Sequence, residues 1–155
     1  MSKLSYPEQA EYLGKTIDIA IESIKKFPPN EFKNEHLTHF INTYLEFKHR
    51  VMNPDPRYRN PKSLSYLQND ILTYFQEGTG EAINYFWKQI KDQDLKYRRE
   101  NKLTKVLKRQ KIKNQIEYNF ILDVLVPYQQ EGLINKDEAA KLSQMILDFE
   151  KKLKS

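Results

Sequence analysis

The sequence predicts an all-α protein, a compact irregular bundle of six or seven helices in a single domain. Apolar side chains recur at spacings of three and four residues along most of the chain, which is the pattern of amphipathic helices. Aromatic runs that resemble a strand, such as residues 84–87, also fit these helical stripes. With 155 residues, the chain has the length of one domain and can bury a core without disulfides or metal ions. We therefore expect residues 1–155 to form one helical domain.

Capping residues and prolines predict the first two helices. Ser5 is followed by an early proline and by Glu8, which is a typical helix start, and Pro28 and Pro29 end the first helix. Asn30 is a candidate cap for the second helix, which the proline-rich loop 53–61 follows. The buried stripes are predicted to contain Ala10, Leu13, Ile17, Ile21, Ile24 and Phe27 in the first helix, and Leu37, Phe40, Ile41, Tyr44, Phe47 and Val51 in the second.

The middle of the chain leaves one question open. Ser63 is expected to start a third helix that ends at Gly78, and no glycine or proline occurs between Glu81 and Val126. A single helix over that stretch would be about 69 Å long. In such a helix, Trp87 and Leu103 would lie on roughly opposite faces. Either the helix breaks within residues 92–101, or it is long and packs against different partners on its two sides.

Two capping boxes predict a helical hairpin over residues 115–153. Asn114 stands three residues before Glu117, and Asn135 stands three residues before Glu138, which is the arrangement of a helix start. Each is followed by an apolar stripe of helical period. The two helices are expected to pack antiparallel to each other.

Positive charge is concentrated in residues 96–113, which we call the basic segment. It contains nine basic residues and one acidic residue, Glu100, in a chain whose net charge is +5. On an uninterrupted helix, four of these side chains would lie within about 60° of one another and form a cationic ridge. The ridge residues are Arg98, Lys102, Lys105 and Arg109. Such a ridge is suited to a phosphate backbone, because lysines and arginines that neutralise phosphates release the counterions bound there. The predicted contact residues are Arg98, Arg99, Lys102, Lys105 and Arg109, with Arg57 and Arg59 of the proline-rich loop as secondary contacts.

No set of residues predicts a catalytic, cofactor or metal site. The chain has no cysteine, which excludes disulfides and thiolate metal ligands. Glu46 and His49 have the Glu-x-x-His spacing of di-iron bundles, but the three histidines of the chain cannot supply the second pair. The sequence 78–80, Gly-Thr-Gly, lacks the third glycine of a dinucleotide-binding loop. No apolar run reaches the ~20 residues of a membrane span, so we expect a soluble, cytoplasmic protein.

These observations predict a non-enzymatic binding or adaptor protein that uses the basic segment to dock an anionic partner, either nucleic acid or an acidic protein. An alternative is a protein–protein interaction module in which the basic face is merely solvated, since exposed helix faces are commonly rich in lysine. A third is an enzyme whose site leaves no signature in the sequence. The oligomeric state is not predicted.

Overall fold

The computed structural model describes residues 4–154 and contains seven α-helices and one short 3-10 helix within that range. The same range contains no strand, so the predicted all-α class with six or seven helices is confirmed. The chain divides into two compact units, Met1–Arg99 and Glu100–Ser155, here called the N-terminal and C-terminal units. A single domain over residues 1–155 stays a prediction.

The N-terminal unit contains four α-helices. They are α1 (Tyr6–Lys26), α2 (Asn34–Met52), α3 (Pro61–Glu77) and α4 (Glu81–Asp92), with the 3-10 helix Pro56–Tyr58 between α2 and α3. The C-terminal unit contains α5 (Thr104–Arg109), α6 (Gln115–Gln130) and α7 (Lys136–Lys154).

Local capping explains where the helices of the N-terminal unit begin. The Ser5 hydroxyl accepts a hydrogen bond from the Glu8 amide at 3.3 Å, as the sequence predicts. The predicted caps of α2 and α3 are wrong by a few residues. Lys33 precedes α2, and its amide donates to Nδ1 of His36 at 3.0 Å. Asn60 caps α3 by accepting from the Ser63 amide at 3.0 Å, and a proline follows it at the first helical position, where its missing N–H costs nothing.

The core of the N-terminal unit forms where α1 packs against α2, α3 and α4. Aromatic rings fill the space between the other helices, and Phe75 stacks on Phe86 with ring centroids 3.9 Å apart. Buried polar groups in this core are paired: the Tyr44 hydroxyl donates to the Ile71 carbonyl at 2.7 Å, and the Trp87 indole donates to the Phe75 carbonyl at 2.8 Å. The pairing lets large amphipathic rings be buried without unsatisfied polar atoms.

The C-terminal unit is built on the predicted hairpin of α6 and α7. Asn114 and Asn135 both act as caps, accepting from the Glu117 and Glu138 amides at 2.8 Å. Tyr118 at the start of α6 donates to Glu150 near the end of α7, so the two helices run antiparallel. The core contains Leu103, Val106, Ile112, Ile121, Val124, Tyr128, Ile134, Ala139, Leu142, Met145 and Ile146.

The stretch between α4 and α5 resolves the question that the sequence left open. Helix α4 ends at Asp92, α5 begins at Thr104, and the intervening residues form no regular structure. Asp94 and Lys96 adopt the left-handed conformation, with φ of 51° and 69°, which a continuing helix does not allow. Trp87 and Leu103 are buried in different cores, so their opposed positions on a hypothetical long helix no longer conflict. The single long helix is therefore excluded.

Candidate anion-binding surfaces

The basic segment is divided between the two units and does not form one helical ridge. Its first residues, including Arg98, follow α4 in an irregular stretch of the N-terminal unit. Lys102 precedes α5, and only Lys105 and Arg109 of the four ridge residues lie on a helix. The ridge could form only on an uninterrupted helix. Because the helix ends at Asp92, the four residues do not share one helical face.

Arg99 is buried, with 5% of its surface exposed. Its guanidinium donates a hydrogen bond to Oδ1 of Asn84, on α4, at 3.0 Å. A charged side chain held inside the protein by a polar partner serves the fold, because its removal leaves that partner unsatisfied. Arg99 therefore does not belong to the binding surface that we propose below.

Two further cations of the basic segment are paired with carboxylates of the C-terminal unit. Arg109 donates to both oxygens of Glu117, at 2.6 and 3.3 Å, and to the Lys111 carbonyl at 2.8 Å. Burial acts to raise the pKa of Glu117. The hydrogen bonds from the Arg109 guanidinium and the Lys113 amide, together with the positive charges of the two side chains, outweigh the effect of burial and lower the pKa. Lys102 forms an ion pair with Glu100 at 2.8 Å, where both side chains are well exposed. These pairs neutralise part of the predicted cationic surface.

Four other lysines of the same segment in the C-terminal unit are exposed: Lys105, Lys108, Lys111 and Lys113. None of them forms an ion pair within the described part of the chain. Lys105 and Lys108 are three residues apart on α5 and share a face of that helix. Within the C-terminal unit, the exposed lysines of the segment therefore lie on α5 and on the loop that follows it.

Lys111 meets Lys152, a residue of α7, at an open pocket of about 300 Å³. Gln110 ends α5 in the left-handed conformation, with φ of 61°, and Ile112 is buried in the core, so the loop between them is fixed against α7. The side-chain contact with Lys111 and then the positive charge of Lys111 lower the pKa of Lys152, as expected for two residues that line the same pocket. Asp148, which also lines the pocket, acts in the opposite direction.

Sequence reasoning missed Lys152 because it is 41 positions from Lys111 and only the hairpin brings them together. A signal for it was present, since the last turn of α7 carries Lys151, Lys152 and Lys154. Basic residues in a last helical turn are common because they complement the helix dipole. The pattern by itself therefore did not indicate a site.

The two arginines of the proline-rich loop lie on tyrosine rings. The Asp55 carboxylate holds Arg57 with hydrogen bonds of 3.2 and 3.1 Å, and the guanidinium lies 5.4 Å from the centre of the Tyr58 ring. Arg59 lies 5.5 Å from the centre of the Tyr6 ring. Tyr6, Tyr58 and Tyr66 line an open pocket of about 410 Å³. Tyr6 and Tyr66 come from α1 and α3, so only the fold brings them beside Tyr58.

The carboxylates and histidines of residues 4–154 do not gather into a group of three or more that could hold a metal ion. Glu46, half of the Glu-x-x-His pair, accepts from Arg50 at 2.6 Å on an exposed helix face. Nor does any helix in this range combine the length and apolar character of a membrane span.

Comparison of the chain with protein-family models, with curated proteins and with solved structures finds no match. The functional argument therefore depends on the chemistry of the surfaces described above.

Proposed function

We propose that the protein is a non-enzymatic binding protein whose C-terminal unit docks the phosphate backbone of a nucleic acid. The contact surface, here called the lysine surface, consists of Lys105, Lys108, Lys111, Lys113 and Lys152. It replaces the ridge that the sequence predicts on one helix. The absence of cysteine suits a reducing compartment, and we propose that the protein acts in the cytoplasm.

The convergence of Lys111 and Lys152 is the observation that supports this proposal. Both lysines line one pocket rather than separate parts of the surface, so their positive charges repel each other there. A phosphate group between them would receive hydrogen bonds from both and would offset their repulsion. Asp148 limits how deep an anion can enter, so the phosphate is expected to bind at the rim beside the lysines.

A nucleic acid fits this surface better than an acidic protein does. Protein interfaces draw most of their affinity from buried aromatic and arginine side chains at their centre. The lysine surface instead offers several separate point charges on α5, the following loop and α7, with Arg109 already bound to Glu117. Repeated lysine charges without a central anchor are typical of sequence-independent contact with a chain of phosphates.

The experiment is a titration of fluorescently labelled single-stranded DNA, duplex DNA and RNA with the full chain, followed by anisotropy at about 50 and 200 mM salt. The test variant is the double substitution Lys111→Glu and Lys152→Glu. The control variant, Lys136→Glu and Lys141→Glu, makes the same change of charge at exposed lysines of α7 outside the surface.

We expect the wild-type protein and the control variant to bind with a steep dependence on salt. The test variant should bind weakly, and the slope of log affinity against log salt should fall by roughly two, about one for each lost phosphate contact. Failure of the wild-type protein to bind at the lower salt concentration would refute the proposal. Equal losses in the test and control variants would also refute it, because net charge alone would then explain the binding.

A second candidate function is a protein–protein interaction module, which exposed apolar side chains of the C-terminal unit favour. Leu122 and Val126 are one helical turn apart on α6, with 46% and 59% of their surfaces exposed. Apolar neighbours of this kind commonly lie in interfaces. Binding of a partner protein that is lost on the double substitution Leu122→Ser and Val126→Ser, but kept by the Lys111→Glu and Lys152→Glu variant, would support this function.

A further inference from the structure

The N-terminal unit contains a pocket lined by aromatic side chains from several elements. Tyr6 comes from the first turn of α1, Tyr58 from the 3-10 helix, and Tyr66 and Leu67 from α3. Its volume of about 410 Å³ falls in the range of small-molecule sites, which is roughly 300–1,000 Å³. The pocket therefore has space for a ligand of the size of one nucleotide.

The tyrosine rings of this pocket are open to a ligand. Tyr58 and Tyr66 are 57% and 61% exposed, whereas Tyr44 in the core of the same unit is 4% exposed. The hydroxyl of Tyr6 donates to the Val51 carbonyl at 3.4 Å, which orients that ring at the pocket wall. Exposed aromatic faces bind planar bases by stacking, and every nucleobase offers such a face.

Arg50 and Asp55 line the pocket, while Arg57 and Arg59 belong to the adjoining loop. Of these three arginines, only Arg59 has no carboxylate partner among the described residues. Arg50 is paired with Glu46 at 2.6 Å, and Arg57 is held by Asp55. Arg59 forms no ion pair within residues 4–154, and its guanidinium is positioned over the Tyr6 ring. A guanidinium so placed is suited to a phosphate, whose oxygens it binds in a bidentate manner.

We propose that this pocket binds a single unpaired nucleotide, with its base stacked on Tyr66 and its phosphate on Arg59. A proline-rich peptide also packs on exposed aromatic rings, but its prolines supply no anion for Arg59. Charge complementarity therefore favours the nucleotide. The site is separate from the lysine surface, because no residue is shared, and either proposal can fail while the other holds.

The test uses adenosine 5′-monophosphate and a single-stranded oligoadenylate as probes of the full chain, with binding measured by calorimetry. Tyr66→Ala removes a stacking surface, and Arg59→Ala removes the cation. Tyr66→Phe keeps the ring, and Arg98→Ala removes an exposed arginine of the same unit that lies outside the proline-rich loop. All three positions are exposed, so each of the four variants is expected to fold, which circular dichroism and the fluorescence of Trp87 check.

We expect Tyr66→Ala and Arg59→Ala each to weaken binding at least about fivefold, which is the lower end of the loss of one base–aromatic contact. Tyr66→Phe and Arg98→Ala should bind as the wild-type protein does. If Tyr66→Ala and Arg59→Ala weaken binding of the monophosphate, the result supports a free nucleotide as the ligand. If they weaken binding of the oligoadenylate alone, it supports a nucleotide within a strand.

The Lys111→Glu and Lys152→Glu variant separates this site from the lysine surface. It should bind the monophosphate as tightly as the wild-type protein, even if it no longer binds nucleic acid. The nucleotide proposal is overturned if neither probe binds, or if Tyr66→Ala and Arg59→Ala bind both probes normally. Binding of a proline-rich peptide that depends on Tyr66, with no binding of either probe, would assign the pocket to the other ligand.

Discussion

Arg109 and Glu117 form a bidentate ion pair that joins the end of α5 to the start of α6. The guanidinium donates at 2.6 and 3.3 Å, and the Lys113 amide donates to the same carboxylate at 3.0 Å. Glu117 has 14% of its side chain exposed and Arg109 has 34%. The pair therefore fixes the loop that carries Lys111. It also gives Arg109, which the sequence suggests as a binding residue, a structural role.

The first prediction concerns the pH dependence of this pair, tested by Glu117→Gln. Because the pKa of Glu117 is lower in the folded protein than its ordinary value of 4.5, the carboxylate stabilises the fold above that pH. We expect the variant to lose about 1 kcal/mol of unfolding free energy at neutral pH, a modest value because Arg109 is partly exposed. The difference between the two proteins should shrink as the pH falls below 4.5 and the wild-type carboxylate takes up a proton.

Urea unfolding followed by circular dichroism at several pH values measures this difference. Glu131→Gln, at an exposed residue beyond the end of α6, is the comparison variant. An unchanged difference between wild type and Glu117→Gln from neutral pH to well below 4.5 would contradict the assignment, because an ionised carboxylate would then not be the stabilising group.

The second prediction separates Arg99 from its neighbour Arg98. Arg99 is 5% exposed and donates to Asn84, whereas the side chain of Arg98 is exposed. Arg99→Ala removes buried methylene groups and leaves polar partners unsatisfied, so we expect a loss of about 2–4 kcal/mol in unfolding free energy. Arg98→Ala should change it by less than about 0.5 kcal/mol.

Trp87, the only tryptophan, is buried in the N-terminal unit, and its fluorescence during urea unfolding reports the stability of that unit. Equal stabilities of the two variants would show that Arg99 has no structural role. In nucleic-acid titrations, a change caused by Arg99→Ala should be interpreted as a consequence of lost stability, because its guanidinium is not at the surface.

The sequence predicted features that depend on residues close together in the chain. The Asn114 and Asn135 caps and the α6–α7 hairpin were correct because a cap satisfies backbone groups two or three residues away. The break after α4 was indicated by apolar residues that a single helix could not bury on one side. Its position fits the weak helix formers between Asp92 and Asn101.

The proposed binding surface could not be predicted in the same way because it depends on which charges the fold pairs. Arg109 is bound by Glu117, and Arg99 is bound by Asn84. Neither partner lies in the basic segment, and nothing in the sequence indicates that they pair with it. The fold also adds residues from distant positions, as Lys152 beside Lys111 shows. Local charge density pointed to the region of the chain that the proposal still uses, but which cations within it are exposed follows from tertiary packing.

The third prediction concerns the close approach of α1 and α2 at Gly14, which is buried. A Cβ atom at this position would overlap the terminal methyl of Met52, the last residue of α2. Met52 is 47% exposed, so its flexible side chain can turn away at a cost of about 0.5 kcal/mol. Alanine is favoured over glycine by about 1 kcal/mol inside a helix. We therefore expect Gly14→Ala to stabilise the N-terminal unit by about 0.5 kcal/mol.

A double-mutant cycle with Met52→Ala tests this explanation through the unfolding transition that Trp87 reports. In the Met52→Ala background the overlapping methyl is gone, so Gly14→Ala should give the full gain of about 1 kcal/mol. Gly14→Val, whose branched side chain reaches further toward α2, should destabilise in both backgrounds. A loss of stability for Gly14→Ala in both backgrounds would mean that the helix backbones, rather than the Met52 side chain, set the limit on this approach.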